Sequence, residues 1–258
     1  MSCFFPWTKS GSIAAGDSIL RFLAFVFLPC STRRWSLLAI LLVGSQISGV
    51  PFAAEPVISK PSAARHGFVA HTVQSEFQSG PTKIYVRVPD KVASGAQLPV
   101  LYLLPVEPKD EQRWGDPLAE AAKLDLANRL NVIVVYPTFS QLPWYCDHPT
   151  DMGMRQESYF LKVVVPHIER LYPARAERAA RLLVGFSKSG WGAWSLLLRN
   201  PDVFGEAAAW DSPMMMERGL YGMALIAGTQ ANFERHRIPN LLREHGQALG
   251  STPRLLLM

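Results

Sequence analysis

Apolar and polar positions alternate between two periods over most of the chain. Residues 82–89, TKIYVRVP, are apolar at nearly every second position, the pattern of a strand with one face buried. Residues 98–106, LPVLYLLPV, and 131–137, NVIVVYP, are short continuous apolar runs, as in parallel strands covered on both faces. Between them DPLAEAAKLDLANRL has helical spacing. So does RQESYFLKVVVPHIERLYP, where Pro166 predicts a kink. RLLVGF predicts a further strand and GWGAWSLLLRNP a helix stopped at Asn200-Pro201. FGEAAAWD, residues 204–211, predicts another strand. A helix over residues 233–249 and a last strand, RLLLM at 254–258, follow. Strands alternating with helices predict an α/β fold: a mostly parallel sheet with helices on both faces. The expected organisation is a leader at 1–54, a flexible entry segment at 55–81 and the α/β domain at 82–258.

Composition changes this picture little. The chain is 48% hydrophobic and 18% charged, as a packed globular protein is. Its net charge of +5 would invite a nucleic-acid partner, but residues 1–54 hold +3 of it and the remainder is mixed with acids. No basic stripe supports nucleic-acid binding. Residues 33–54 read as an export signal: Arg33-Arg34, an apolar run, then FAAE with cleavage after Ala54. The expected location is periplasmic or extracellular, free of the membrane once the signal is cleaved. The alternative is a membrane anchor left uncleaved. Neither leader run has the ~18–20 residues of a spanning helix. Cys3 and Cys30 belong to the leader, and Cys146, alone in the remainder, reads as an inert thiol rather than a nucleophile. No histidine or cysteine spacing suggests a metal, and no cofactor is expected.

The chemistry concentrates in LLVGFSKSGWGAWSLLL. Gly185-Phe186-Ser187-Lys188-Ser189-Gly190 approximates G-x-S-x-G, a strand-to-helix elbow that exposes a serine at its apex. Ser189 stands where the second glycine belongs, with Gly190 just after. The positive end of the following helix favours an oxyanion beside the serine. The plainer alternative is a loop in which Ser187 caps the helix.

On the tracts VLYLLPVEP, NVIVVYPTFSQLPWYCD, ESYFLKVVVPHIERLYP and LLVGFSKSGWGAWSLLLRNPDVF, residues 82–258 resemble the esterase D-like, polyhydroxybutyrate-depolymerase-like branch of the α/β-hydrolases. The resemblance implies a serine esterase with Ser187 as nucleophile. It implies an oxyanion hole from the backbone N–H of Lys188 and one from the turn at Val106 or Glu107. It implies acyl-pocket residues at Trp144 and Tyr145, and a small-molecule or carbohydrate ester as substrate.

A triad in this fold runs Ser, acid, His, with the histidine after the last strand. RLLLM is that strand and ends the sequence, so the last strands and the histidine are expected to be missing and hydrolysis impaired. Asp211 is the remaining acid candidate, with a turn residue as its plainer reading. His236 and His245 read as solvent-facing, His148 follows WYCD, His167 lies mid-helix, and His66 and His71 precede the first firm strand. The alternative to an impaired esterase is a non-catalytic ligand-binding protein on the same fold.

Overall fold

The structure, a computed structural model, describes residues 55–258; the expected leader and its export signal lie outside the described residues. The sheet begins earlier than the apolar pattern suggests. Within the segment read as a flexible entry, β1 (Val57–Ile58), β2 (Ser62–Ala63) and β3 (Val69–Gln74) already pair. β3 runs antiparallel to β4 (Thr82–Arg87), and β4 antiparallel to β6 (Ile133–Pro137). From β6 onward the sheet is parallel through β5 (Val100–Leu104), β7 (Arg181–Phe186), β8 (Glu206–Trp210) and β9 (Leu255–Leu257).

One register row crosses the sheet from Val86 through Val135, Tyr102, Leu183 and Ala207 to Leu255. Its side chains join the larger core, under helices on that face. These are α3 (Gln156–Tyr159), α4 (Val165–Leu171) and α5 (Lys188–Arg199). The neighbouring row, with Val134, Leu101 and Leu182, faces the other way onto α1 (Pro117–Lys123) and α2 (Leu126–Leu130). β5 and β6 are covered on both sides, which is why they read as unbroken apolar runs.

Three expected helices are interrupted. Asp125, at φ 49°, breaks the first into α1 and α2. A π turn over Phe160–Val164 precedes Pro166, which lacks the N–H a regular turn would use. The expected helix at 233–249 is α7 (Gln230–His236) and α8 (Ile238–His245), then a short 3₁₀ turn, and it follows α6 (Met223–Ala227). The chain breaks at Arg237 because Pro239 opens α8.

Candidate active site

The C-terminal ends of β5, β7 and β8 open at one end of the sheet, where ligands bind in parallel α/β folds. Ser187 leaves β7 there at φ 52°, ψ −123°, a conformation costly for a residue with a Cβ. Its backbone is locked on both sides: its N–H donates to the Trp210 carbonyl at 3.0 Å, and its own carbonyl accepts from Gly190 at 3.0 Å and Trp191 at 3.2 Å. Gly185 is required, since a Cβ there would lie 2.1 Å from the Ser189 carbonyl oxygen. Ser189, the departure from the usual motif, has a function of its own. Its buried hydroxyl accepts the Phe186 N–H and donates to the Phe186 carbonyl, each at 2.9 Å. A glycine would remove both of these hydrogen bonds. Ser187 is not a helix-capping serine: its side chain accepts no hydrogen bond from α5.

Ser187, Lys188, Val106, Glu107, Asp211 and Tyr221 line one groove. The N–H groups of Lys188, Val106 and Glu107 have no acceptor among the described residues. Three unpartnered donors thus flank a serine whose Oγ is also unpaired among the described residues, a constellation suited to an anionic oxygen. The turn and the elbow are tied together by side chains: the Lys188 ammonium lies 3.6 Å from Glu107, whose carboxylate accepts the Trp114 indole N–H at 2.9 Å. Burial lowers the Lys188 pKa, Glu107 opposes that shift and Arg113 adds to it. Asp211 follows β8 at φ 47°, exposed on the groove wall.

The other expected residues lie elsewhere. Trp144 and Tyr145 are wholly buried and line no part of the Ser187 groove, so an acyl-pocket role for them does not fit. Their N–H groups donate to Gln156 Oε1, the Tyr145 hydroxyl donates to the Pro105 carbonyl, and the Tyr145 ring fills the space a Cβ on Gly192 would occupy. Tyr145 therefore supports the strand end beneath the turn at Val106. Cys146 is buried, and burial pushes its thiol pKa up, against any nucleophilic role.

No described histidine lines the groove. His236 is 2% exposed rather than solvent-facing. Its Nδ1–H donates to the Asn232 carbonyl and its Nε2 stands 3.9 Å from Glu157. Glu157 also holds Arg199 and Asn200 at the far end of α5, and twelve helical residues, about 18 Å, separate that end from the elbow. Burial would raise the Glu157 pKa, but these partners outweigh it and hold it at about 2. His148 accepts the N–H groups of Thr150 and Asp151 and lies against Gly228. His66 pairs with Asp116, and His71 sits between the Ser59 carbonyl and the Tyr172 hydroxyl. Buried His167 packs edge-on against His71, and burial lowers its pKa to about 4. Of the two histidines expected to face solvent, His245 does so, beside Glu244. Among the described residues no cluster of three His, Cys, Asp or Glu side chains is arranged to hold a metal, and no helix is long and apolar enough to cross a membrane.

The family model described as "Putative esterase" matches residues 75–237. The chain belongs to this esterase family. A search of curated proteins returns no match. Among solved structures, the S-formylglutathione hydrolase of Agrobacterium tumefaciens is similar at 17% identity and TM-score 0.58, over 78% of this chain and 88% of that one. The S-formylglutathione hydrolase FrmB of Staphylococcus aureus is similar at 17% and 0.56, over 78% and 80%. A fluorophosphonate-binding serine hydrolase of Staphylococcus aureus, FphF, is similar at 18% and 0.58, over 78% and 79%. At these identities the likeness is one of fold. This esterase has the α/β-hydrolase architecture, with its elbow at the switch from β7 to α5.

Proposed function

We propose that this esterase hydrolyses carboxylic esters through an acyl intermediate on Ser187. The observation that carries the reading is Ser187 itself, strained at φ 52° with an unpaired Oγ in a groove shared with the free N–H groups of Lys188 and Val106. Ser187 Oγ adds to the ester carbonyl carbon, and the carbonyl oxygen takes the negative charge. The N–H of Lys188 and that of Val106, or of Glu107 in the same turn, stabilise it. The C–O bond to the alcohol then breaks, and the proton lost by Ser187 ends on the departing alcohol. Water attacks the acyl-serine, releasing the acid and restoring the hydroxyl.

A serine hydroxyl needs a proton acceptor. Asp211 is the groove's carboxylate besides Glu107, and Glu107 is engaged by Lys188 and Trp114. With Asp211 as the remaining acceptor, hydrolysis runs slowly, at the level an oxyanion hole and binding sustain, about 10³–10⁴ over water. The substrate is a small-molecule or carbohydrate ester, and the apolar run and FAAE site of residues 33–54 favour an exported protein. That no described histidine lines the groove favours a second reading, a ligand-binding protein on the same fold.

Hydrolysis of 4-nitrophenyl acetate by the full chain and by Ser187→Ala tests the first reading. Turnover lost in the variant supports it. Equal rates in both, or none in either, overturn it and leave the second.

A further inference from the structure

A second cavity, of about 470 Å³, lies behind the turn that borders the Ser187 groove. Val106, Glu107 and Trp114 line both spaces and form the partition between them. Alternation along two strands does the rest. Phe186 faces the cavity and the next residue, Ser187, the groove; Trp210 faces the cavity and Asp211 the groove. The Phe186 and Trp210 rings lie 5.8 Å apart and tilted by 35°, making an aromatic wall that Leu124 and Val184 extend.

The lining chemistry is lopsided. Apolar carbon dominates it, and its charged members are Glu107, Glu111, Asp116 and Glu120, with no lysine or arginine. Such a space has the size of a small-molecule site and admits apolar groups. Glu107, Asp116 and Glu120 are paired with Lys188, Arg65 and Lys123, so what opposes an anionic ligand is the desolvation of a bare charge against the apolar lining. The cavity touches the turn at Val106 and Glu107, so a group seated in it lies beside whatever sits at Ser187.

We propose that this cavity binds the uncharged, apolar part of the substrate, an aromatic or alicyclic group of about two rings. The assignment rests on the ester-hydrolase reading for what the occupant is attached to, but binding itself does not need turnover. It makes the preferred substrates neutral esters of bulky apolar acids or alcohols. Free carboxylates and charged acyl groups are excluded.

The full chain carrying Ser187→Ala is titrated with methyl 2-naphthoate and with 2-naphthoate, by calorimetry. The ester should bind at least tenfold more tightly than the anion. Val184→Phe and Leu124→Trp, each added to Ser187→Ala, should weaken ester binding at least tenfold by filling the space. Leu124 is 47% exposed, so its replacement leaves the core intact if the Val184 variant fails to fold, and far-UV circular dichroism verifies that. Equal binding of ester and anion, or full ester affinity in a folded filled variant, overturns the proposal. The two readings fail separately: selective binding with no hydrolysis by the wild type removes the esterase and keeps the cavity. Hydrolysis with binding indifferent to both fillings removes the cavity and keeps the esterase.

Discussion

The side chains of Lys188 and Glu107 meet at 3.6 Å, and each belongs to one of the two backbone segments whose N–H groups flank Ser187. Both are nearly buried, at 13% and 11% side-chain exposure. Removing one partner strands the other in a poorly solvated place. Lys188→Met and Glu107→Gln should each destabilise the protein by about 1–3 kcal/mol. The double variant should lose less than the sum, with a coupling on the order of 1 kcal/mol. Urea denaturation of the four proteins checks this, and additive losses would show that the pair is not energetically joined.

The elbow makes a graded prediction. Gly185→Ala forces its new methyl into the Ser189 carbonyl, and about 3 kcal/mol or outright failure to fold is expected. Ser189→Ala removes one donor and one acceptor from the part-buried Phe186 backbone and should lose about 1–2 kcal/mol. Ser189→Gly should match or exceed that loss, despite restoring the usual glycine. Thermal melting of the three variants ranks them, and a stabilising Ser189→Gly would refute the hydroxyl's role.

A fluorophosphonate probe should label Ser187 slowly, and Ser187→Ala should abolish the label at that position. Mass spectrometry of the labelled peptide reads this directly. Modification at another serine would assign the nucleophile elsewhere.

Two buried groups contribute to the response to acid. The folded pKa of His167 is lowered by burial, with His71 and Arg170 adding to the shift, from 6.5 to about 4. The unfolded chain therefore takes up a proton first as pH falls, and the stability present above pH 6.5 is lost between there and pH 4, by about 3 kcal/mol at most. Glu157 follows the carboxylate rule: its contribution is present above its ordinary value of 4.5 and fades as pH falls toward 2. His167→Leu should flatten the upper step of a stability profile measured from pH 7 to 4. An unchanged profile would mean that His167 is not the titrating group.

Local structure was legible in the sequence and distant pairing was not. β5 and β6 read as strands because helices cover both their faces. The elbow read correctly because its determinants, Gly185 to Gly190, are consecutive. β3 was hidden: VAHTVQ points His71 into the core, and only Ser59 and Tyr172 satisfy that ring. His236 looked like a surface residue in a polar stretch because its charged neighbour, Glu157, comes from α3. Trp144 and Tyr145 were given a pocket role only by the family resemblance. Their burial follows from Gln156 and Gly192, which no local pattern connects to them.

The Trp194 indole donates to the Leu256 carbonyl at 3.1 Å, so the helix that opens at Ser187 also holds the sheet's last described strand. Arg254 anchors the same strand through the Pro201, Phe204 and Gly205 carbonyls. The helix that follows the elbow is thus hydrogen-bonded to that strand. Amide exchange at Leu255–Leu257 would report on opening of the α5 end of the molecule. A binding event at Ser187 that stiffens α5 should therefore slow exchange at a strand it never touches.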